Sequence, residues 1–266
     1  VAALLAPGGS VAAVQAAVAA GADGVYCGFP AASRAEGRGL TRDEVAVCLD
    51  IVHRRGRFLH LAANAVPGDT ASFRAVLAGF RDLGVDGVIL NDPGLIARTV
   101  RDFPGWPVYA SVGLGVSNRE DALFYAALGV RAVVLAPDTA REVLAWPRDP
   151  AVGVEVFCDL EVEPLMTGRC ALSSYTRPPG EKAASVKRGN PCRQPCRLPW
   201  TGAPASGSPF PWRHHTLTDM TPYLRAGVSL FKIQGRRLAP PAVAALVERY
   251  RRQLDQARER IANGKE

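Results

Sequence analysis

The chain has 266 residues, 48% of them apolar and 21% charged, with a formal net charge of +7. That is enough apolar material for one sizeable core, on the scale of a single α/β barrel of ~250 residues or of two small domains. No apolar run approaches the ~18 residues of a membrane span, and the opening VAALLAPGGS lacks the basic n-region and cleavage site of a secretory signal. A cytoplasmic, reducing location is therefore expected, where grouped cysteines bind metal or do redox work more often than they form disulfides.

Eight short apolar runs read as strands: Ala3–Ala6, Gly24–Cys27, Phe58–Ala63, Gly87–Leu90, Val108–Val112, Ala132–Ala136, Val154–Cys158 and Ser229–Ile233. Helical stretches separate most of them. Ser10 opens the first helix, and Thr41-Arg42-Asp43-Glu44 has the spacing of a capping box. Asp69, Asn118 and Asp138 stand where further helices would be capped.

One pattern recurs at four αβ junctions: Ala20-Gly21-Ala22-Asp23-Gly24-Val25-Tyr26, Leu83-Gly84-Val85-Asp86-Gly87-Val88-Ile89, Leu128-Gly129-Val130-Arg131-Ala132 and Ala226-Gly227-Val228-Ser229-Leu230. The first Gly falls where a helix ends in the left-handed conformation, and the run after it suits a strand buried on both faces. Eight such strands alternating with helices predict a single α/β domain over residues 1–266, a (β/α)8 TIM-like barrel. Between strands seven and eight the alternation breaks, leaving an insertion over residues 159–228 with a short helix near Pro222–Ala226.

Chemistry in such barrels sits at the C-terminal strand ends. Those ends read Pro7-Gly8, Cys27-Gly28, Asn64, Asn91-Asp92, Ser111, Asp138, Cys158-Asp159 and Gln234-Gly235-Arg236. Asp138 suits a helix cap, whereas Asn64, Asp92, Asp159 and Arg236 are expected to do more.

The insertion carries Cys170, Cys192 and Cys196 within 27 residues of polar, Gly/Pro/Arg-rich sequence. Free cysteines usually sit buried like small hydrophobes, so this grouping points to a metal or cluster. The CxxxC pair with a distant third thiol suits zinc or iron–sulfur on spacing alone. Seven Lys/Arg and one acid, Glu181, lie between Arg169 and Arg197, and cations beside thiols favour the thiolate. Towards the C-terminus, Arg251, Arg252, Arg258 and Arg260 fit the solvated side of a last helix.

At this point the chain resembles the collagenase-like peptidase family U32. Glu155, Phe157, Val162, Gly168, Cys170, Leu172 and Ser173 fall in the register of its signature, and Cys192-Arg193-Gln194-Pro195-Cys196-Arg197 looks like its downstream Cys element. LLAPGGS, GADGVYCG, Asn64, Asp92-Pro93-Gly94, Ser111, Asn118 and Lys232-Ile233-Gln234-Gly235-Arg236 are similar to further motifs. Departures are Leu160 for a Gly, Asp159 for a His, Glu163 at the first signature Cys, Thr221 near a later Cys and Gln234 for a Glu.

The resemblance implies an iron–sulfur cluster of the 4Fe-4S type held by Cys170, Cys192 and Cys196. Cys27, at the expected mouth, is the first choice for a fourth ligand, ahead of Cys158, Glu163 or an exogenous molecule. Cys48 is read as core. The resemblance further implies oxygen-independent hydroxylation, of a quinone precursor as in ubiquinone biosynthesis or of RNA. Its substrate would be small and anionic or aromatic, with prephenate as oxygen donor, and a related family member could form a heterodimer with it. Asn64, Asp92 and Arg236 are the expected catalytic residues, Arg236 gripping a carboxylate with its planar fork.

Peptidase chemistry, or a non-catalytic cluster-bearing subunit, is the alternative. The sequence shows no HExxH and no GxSxG. Of the four histidines, His53 fits a helix face and His60 a strand interior, as a satisfied core residue. His214-His215 could approach the mouth.

Overall fold

A computed structural model describes residues 2–30, 32–33, 39–64, 69–136, 139–146, 152–162 and 213–264, with backbone alone for Glu161, Val162 and Arg213. Cys170, Cys192, Cys196, Glu163 and Asp138 lie outside the described residues.

Nine strands form one sheet: β1 (Ala3–Gly8), β2 (Gly24–Gly28), β3 (Phe58–Ala63), β4 (Gly87–Leu90), β5 (Val108–Ala110), β6 (Ala132–Val134), β7 (Gly153–Val162), β8 (Arg213–Thr216) and β9 (Leu230–Ile233). β1 to β7 pair in sequence and in parallel, and β9 pairs with both β7 and β1. The circle closes as an eight-stranded parallel barrel, and each of the eight expected runs supplies one stave. The ninth strand, β8, was not expected. It runs antiparallel to the far end of β7, pairing Asp159 with Thr216 and Val162 with Arg213.

Described helices are α1 (Val11–Ala19), α2 (Arg42–His53), α3 (Thr70–Asp82), α4 (Pro93–Asp102), α5 (Arg119–Ala127), α6 (Thr221–Arg225) and α7 (Pro240–Ala262). The capping box of α2 is formed, and Ser10, Asp69 and Asn118 each accept a first-turn N–H. In α7, Val243, Val247, Tyr250, Leu254 and Ala257 make the buried stripe. Arg251 departs from the expectation of a solvated residue. It lies largely covered and bridges Asp23 at 2.8 Å and Asp255 at 2.7 Å, tying the last helix to the floor of the barrel.

The recurrent junction has a physical basis at each position. Gly21, Gly84, Gly129 and Gly227 all have φ between 88° and 98°, the left-handed region a Cβ disfavours. Asp23 accepts from Leu4 N at 2.9 Å and Asp86 from Leu59 N at 2.7 Å, so each carboxylate caps a strand beside its own. The second glycine makes room inside the barrel. A Cβ at Gly24 would stand 2.2 Å from the Phe58 ring, and one at Gly87 would stand 2.8 Å from that of Tyr109.

Alternation along each strand sorts the core into two layers. Leu5, Tyr26, Ala62, Ile89, Tyr109, Ala132 and Leu230 fill the barrel. Leu4, Val25, Leu59, Leu61, Val88, Val133, Val156 and Phe231 pack outward in one cluster with the helices.

Candidate functional site at the barrel mouth

Arg236 follows β9 and crosses the end of β1 to reach β2. Its Nη1 donates to Ser33 Oγ at 2.8 Å, and its guanidinium carbon lies 5.6 Å from the centroid of the Tyr26 ring. Two glycines permit this path. A Cβ at Gly9 would overlap the Arg236 carbonyl, and one at Gly28 would lie 2.5 Å from Arg236 Nη1. The motifs LLAPGGS and GVYCG thus meet the QGR turn through close backbone approach. Tyr26 is itself fixed, its hydroxyl donating to Ile233 O at 3.0 Å.

Asn64 stands directly after β3 and Asp92 just after β4, on the same rim. Asp92, expected as a catalytic residue, is the N-cap of α4, its Oδ1 accepting from Leu95 N at 2.9 Å.

Asp159 sits in a bulge of β7 between two elements. Tyr250 of α7 donates to Oδ2 at 2.8 Å, and His214 Nε2 lies 3.1 Å from Oδ1. Alternation along β8 turns the neighbouring His215 elsewhere, onto Phe157 O at 3.2 Å. Val162 pairs with Arg213, so the two ends that flank residues 163–212 in the sequence lie side by side on a ribbon that prolongs β7.

Cys27 is not at the mouth. Its strand neighbour Tyr26 points inward, so Cys27 points outward, fully buried in the cluster that joins sheet to helices, and Cys48 of α2 adds to its electrostatic environment. Burial pushes the Cys27 thiol up to about 12, the opposite of what a ligand thiolate needs. Cys158 is in the same layer, its Sγ 3.3 Å from Lys232 O, and burial raises its thiol too. Cys48 is core, as expected. Among the described residues no group of three metal-ligating side chains converges.

Residues 9–265 match the family model described as Peptidase family U32. The chain belongs to that family. The 23S rRNA 5-hydroxycytidine C2501 synthase of Escherichia coli is 27% identical over 95% of this chain, which covers 39% of that relative. A protein named Collagenase from Porphyromonas gingivalis is 27% identical over 95% of this chain and 65% of its own length. The solved structure of a U32 peptidase superposes with a TM-score of 0.58 at 13% identity, covering 88% of this chain and 93% of that one, a likeness of fold. The U32 chain described here spans about two-fifths of the length of the first of these relatives.

Inside this U32 barrel lies a polar group that sequence reasoning missed as a site. Lys232 Nζ meets Glu155 Oε1 at 2.7 Å, both fully enclosed. The ammonium also faces the ring of Tyr26 at 4.5 Å and that of Phe157 at 5.5 Å. Burial lowers the Lys232 amine from its ordinary range, against the upward pull of Glu155. His60 is stacked between Phe58 at 4.7 Å and Tyr109 at 4.3 Å. It is buried as expected, but among the described residues Nδ1 has no hydrogen-bond partner, and burial followed by the Lys232 charge brings its pKa down to about 3. Glu155 Oε2 is likewise buried without a hydrogen-bond partner among the described residues. The available signal was a Glu and a Lys on inward positions of apolar strands, where charges are costly unless paired.

Proposed function

We propose that this barrel belongs to an RNA-modifying hydroxylase whose cysteine segment, Cys170 to Cys196, holds an iron–sulfur cluster beside the C-terminal mouth. The observation that supports this reading is the ribbon of β7 and β8, whose ends flank that segment in the sequence. The rRNA hydroxylation relative, matched over 95% of this chain, favours RNA over a quinone precursor. Cys170, Cys192 and Cys196 would hold the cluster, and the outward burial of Cys27 and Cys158 leaves the fourth position to Glu163 or a small molecule. A cluster there would supply one-electron chemistry. Arg236, fixed by Ser33 and stacked on Tyr26, would bind and orient an anionic group of substrate or oxygen donor.

Protein purified without oxygen should contain iron and sulfide and absorb broadly near ~400 nm, as Cys-ligated clusters do. Cys192→Ser should remove that band. Stoichiometric zinc without iron would overturn the cluster. Loss of the gene should deplete one hydroxylated nucleoside in digests of cellular RNA; unchanged nucleosides would sink the RNA assignment even if iron is present.

The relative named Collagenase and the His214–Asp159 pair keep a peptidase reading in play. A histidine oriented by an acid is two-thirds of a nucleophilic triad. Among the described residues its contacts are with Asp159 and no Ser or Cys completes the arrangement. Cleavage of casein or gelatin by metal-free protein, lost in His214→Gln, would favour this reading.

A further inference from the structure

The chain has 32 Lys and Arg residues, and only four are lysines: Lys182, Lys187, Lys232 and Lys265. Its outer ion pairs use arginine, as in Arg57–Asp23, Arg74–Asp102 and Arg251–Asp255. The only lysine among the described residues is Lys232, in the middle of the barrel. A guanidinium stays charged at any ordinary pH, whereas a buried ammonium can give up its proton and become a nucleophile. Glu155 lies at 2.7 Å, ready to take that proton, and its second oxygen is enclosed without a hydrogen-bond partner among the described residues.

The groups that face the amine come from four elements: Glu155 of β7, Tyr26 of β2, His60 of β3 and Arg236 beyond β9. Tyr26 carries Lys232 on its ring at 4.5 Å and Arg236 at 5.6 Å, so the amine lies in the layer beneath the mouth. Ala62, the next inward position above His60, is small, and the space beside Gly28 above Tyr26 is taken by the Arg236 guanidinium.

We propose that Lys232 is a reactive amine that forms an imine with a carbonyl compound entering from the mouth. The ammonium first passes a proton to Glu155. The neutral amine then adds to the carbonyl carbon, and the carbonyl π electrons move to oxygen, which takes the proton back from Glu155. Glu155 next removes a proton from nitrogen and returns it to the hydroxyl, which leaves as water while the nitrogen lone pair forms the C=N bond. The sum is ammonium plus carbonyl giving iminium plus water, with no oxidant or reductant. This chemistry does not depend on iron in the cysteine segment.

The test uses the unaltered protein, acetaldehyde and sodium cyanoborohydride at pH 7, with ethylated lysines located by peptide mass spectrometry. Lys182, Lys187 and Lys265 are internal references, and labelling in urea shows that every lysine peptide is detected. Lys232 should be ethylated faster than each of the three reference lysines, because burial lowers its amine from the ordinary range and Glu155 stands ready to take the proton. Glu155→Gln should abolish that advantage. Labelling of Lys232 at the reference rate or more slowly would overturn the proposal and leave an inert ion pair.

Discussion

His60→Phe tests the electrostatics of the barrel interior most directly. In the folded chain the imidazole is fully enclosed between Phe58 and Tyr109, and its pKa falls from 6.5 to about 3. Above pH 6.5 the imidazole is neutral whether the chain is folded or not, and it adds no pH dependence. Between pH 6.5 and 3 the unfolded chain binds a proton that the folded chain refuses, so stability falls as pH falls. Below pH 3 both states are protonated and the loss is complete. Each pKa unit corresponds to ~1.36 kcal/mol, so the drop from 6.5 to about 3 removes about 5 kcal/mol, at ~1.4 kcal/mol per pH unit through the middle of the window. The larger Phe ring adds strain of ~1–3 kcal/mol, which does not vary with pH. Urea unfolding of both proteins at several values between pH 7 and 4 separates the two effects. Wild type should lose stability more steeply than His60→Phe, by ~1.4 kcal/mol per pH unit. Parallel curves would refute the reasoning and mean that the imidazole reaches solvent or a partner.

Lys232→Met alone should cost ~3–5 kcal/mol by stranding the buried Glu155 carboxylate, and adding Glu155→Gln should recover most of it; chemical denaturation of the three variants gives the comparison, and an additive double mutant would deny the pair. Cys27→Ser should destabilise the fold by ~1–3 kcal/mol, because it puts a hydroxyl into an apolar layer. Its iron content per folded chain should match wild type, and a selective loss of iron would return Cys27 to the ligand set. Gly24→Ala should lower the unfolding free energy by ~1–3 kcal/mol through collision with the Phe58 ring, whereas Gly56→Ala, with open space but φ of 62°, should cost only the left-handed strain of ~1 kcal/mol.

The sequence by itself determined the barrel. Eight apolar runs, the left-handed glycines at four junctions and the caps at Ser10, Thr41, Asp69 and Asn118 are local signals, set by backbone sterics and by N–H groups within one turn of the residue that satisfies them. Family membership was legible for a related reason, since motifs in fixed order survive where overall identity is only 27%. The direction of a side chain was harder to read. Cys27 ends its strand as a mouth residue would, yet the two-residue period turns its thiol to the helices. Asp92, read as a site residue, also caps α4, because the chain enters that helix one residue later. Tertiary structure alone decided the pairings across long separations: Glu155 with Lys232, Asp159 with Tyr250, and Arg236 with Ser33, up to 203 residues apart. No local pattern encodes them, because closing the sheet sets which strands become neighbours, and burial inside that closed sheet makes each unpaired charge costly enough to require its partner.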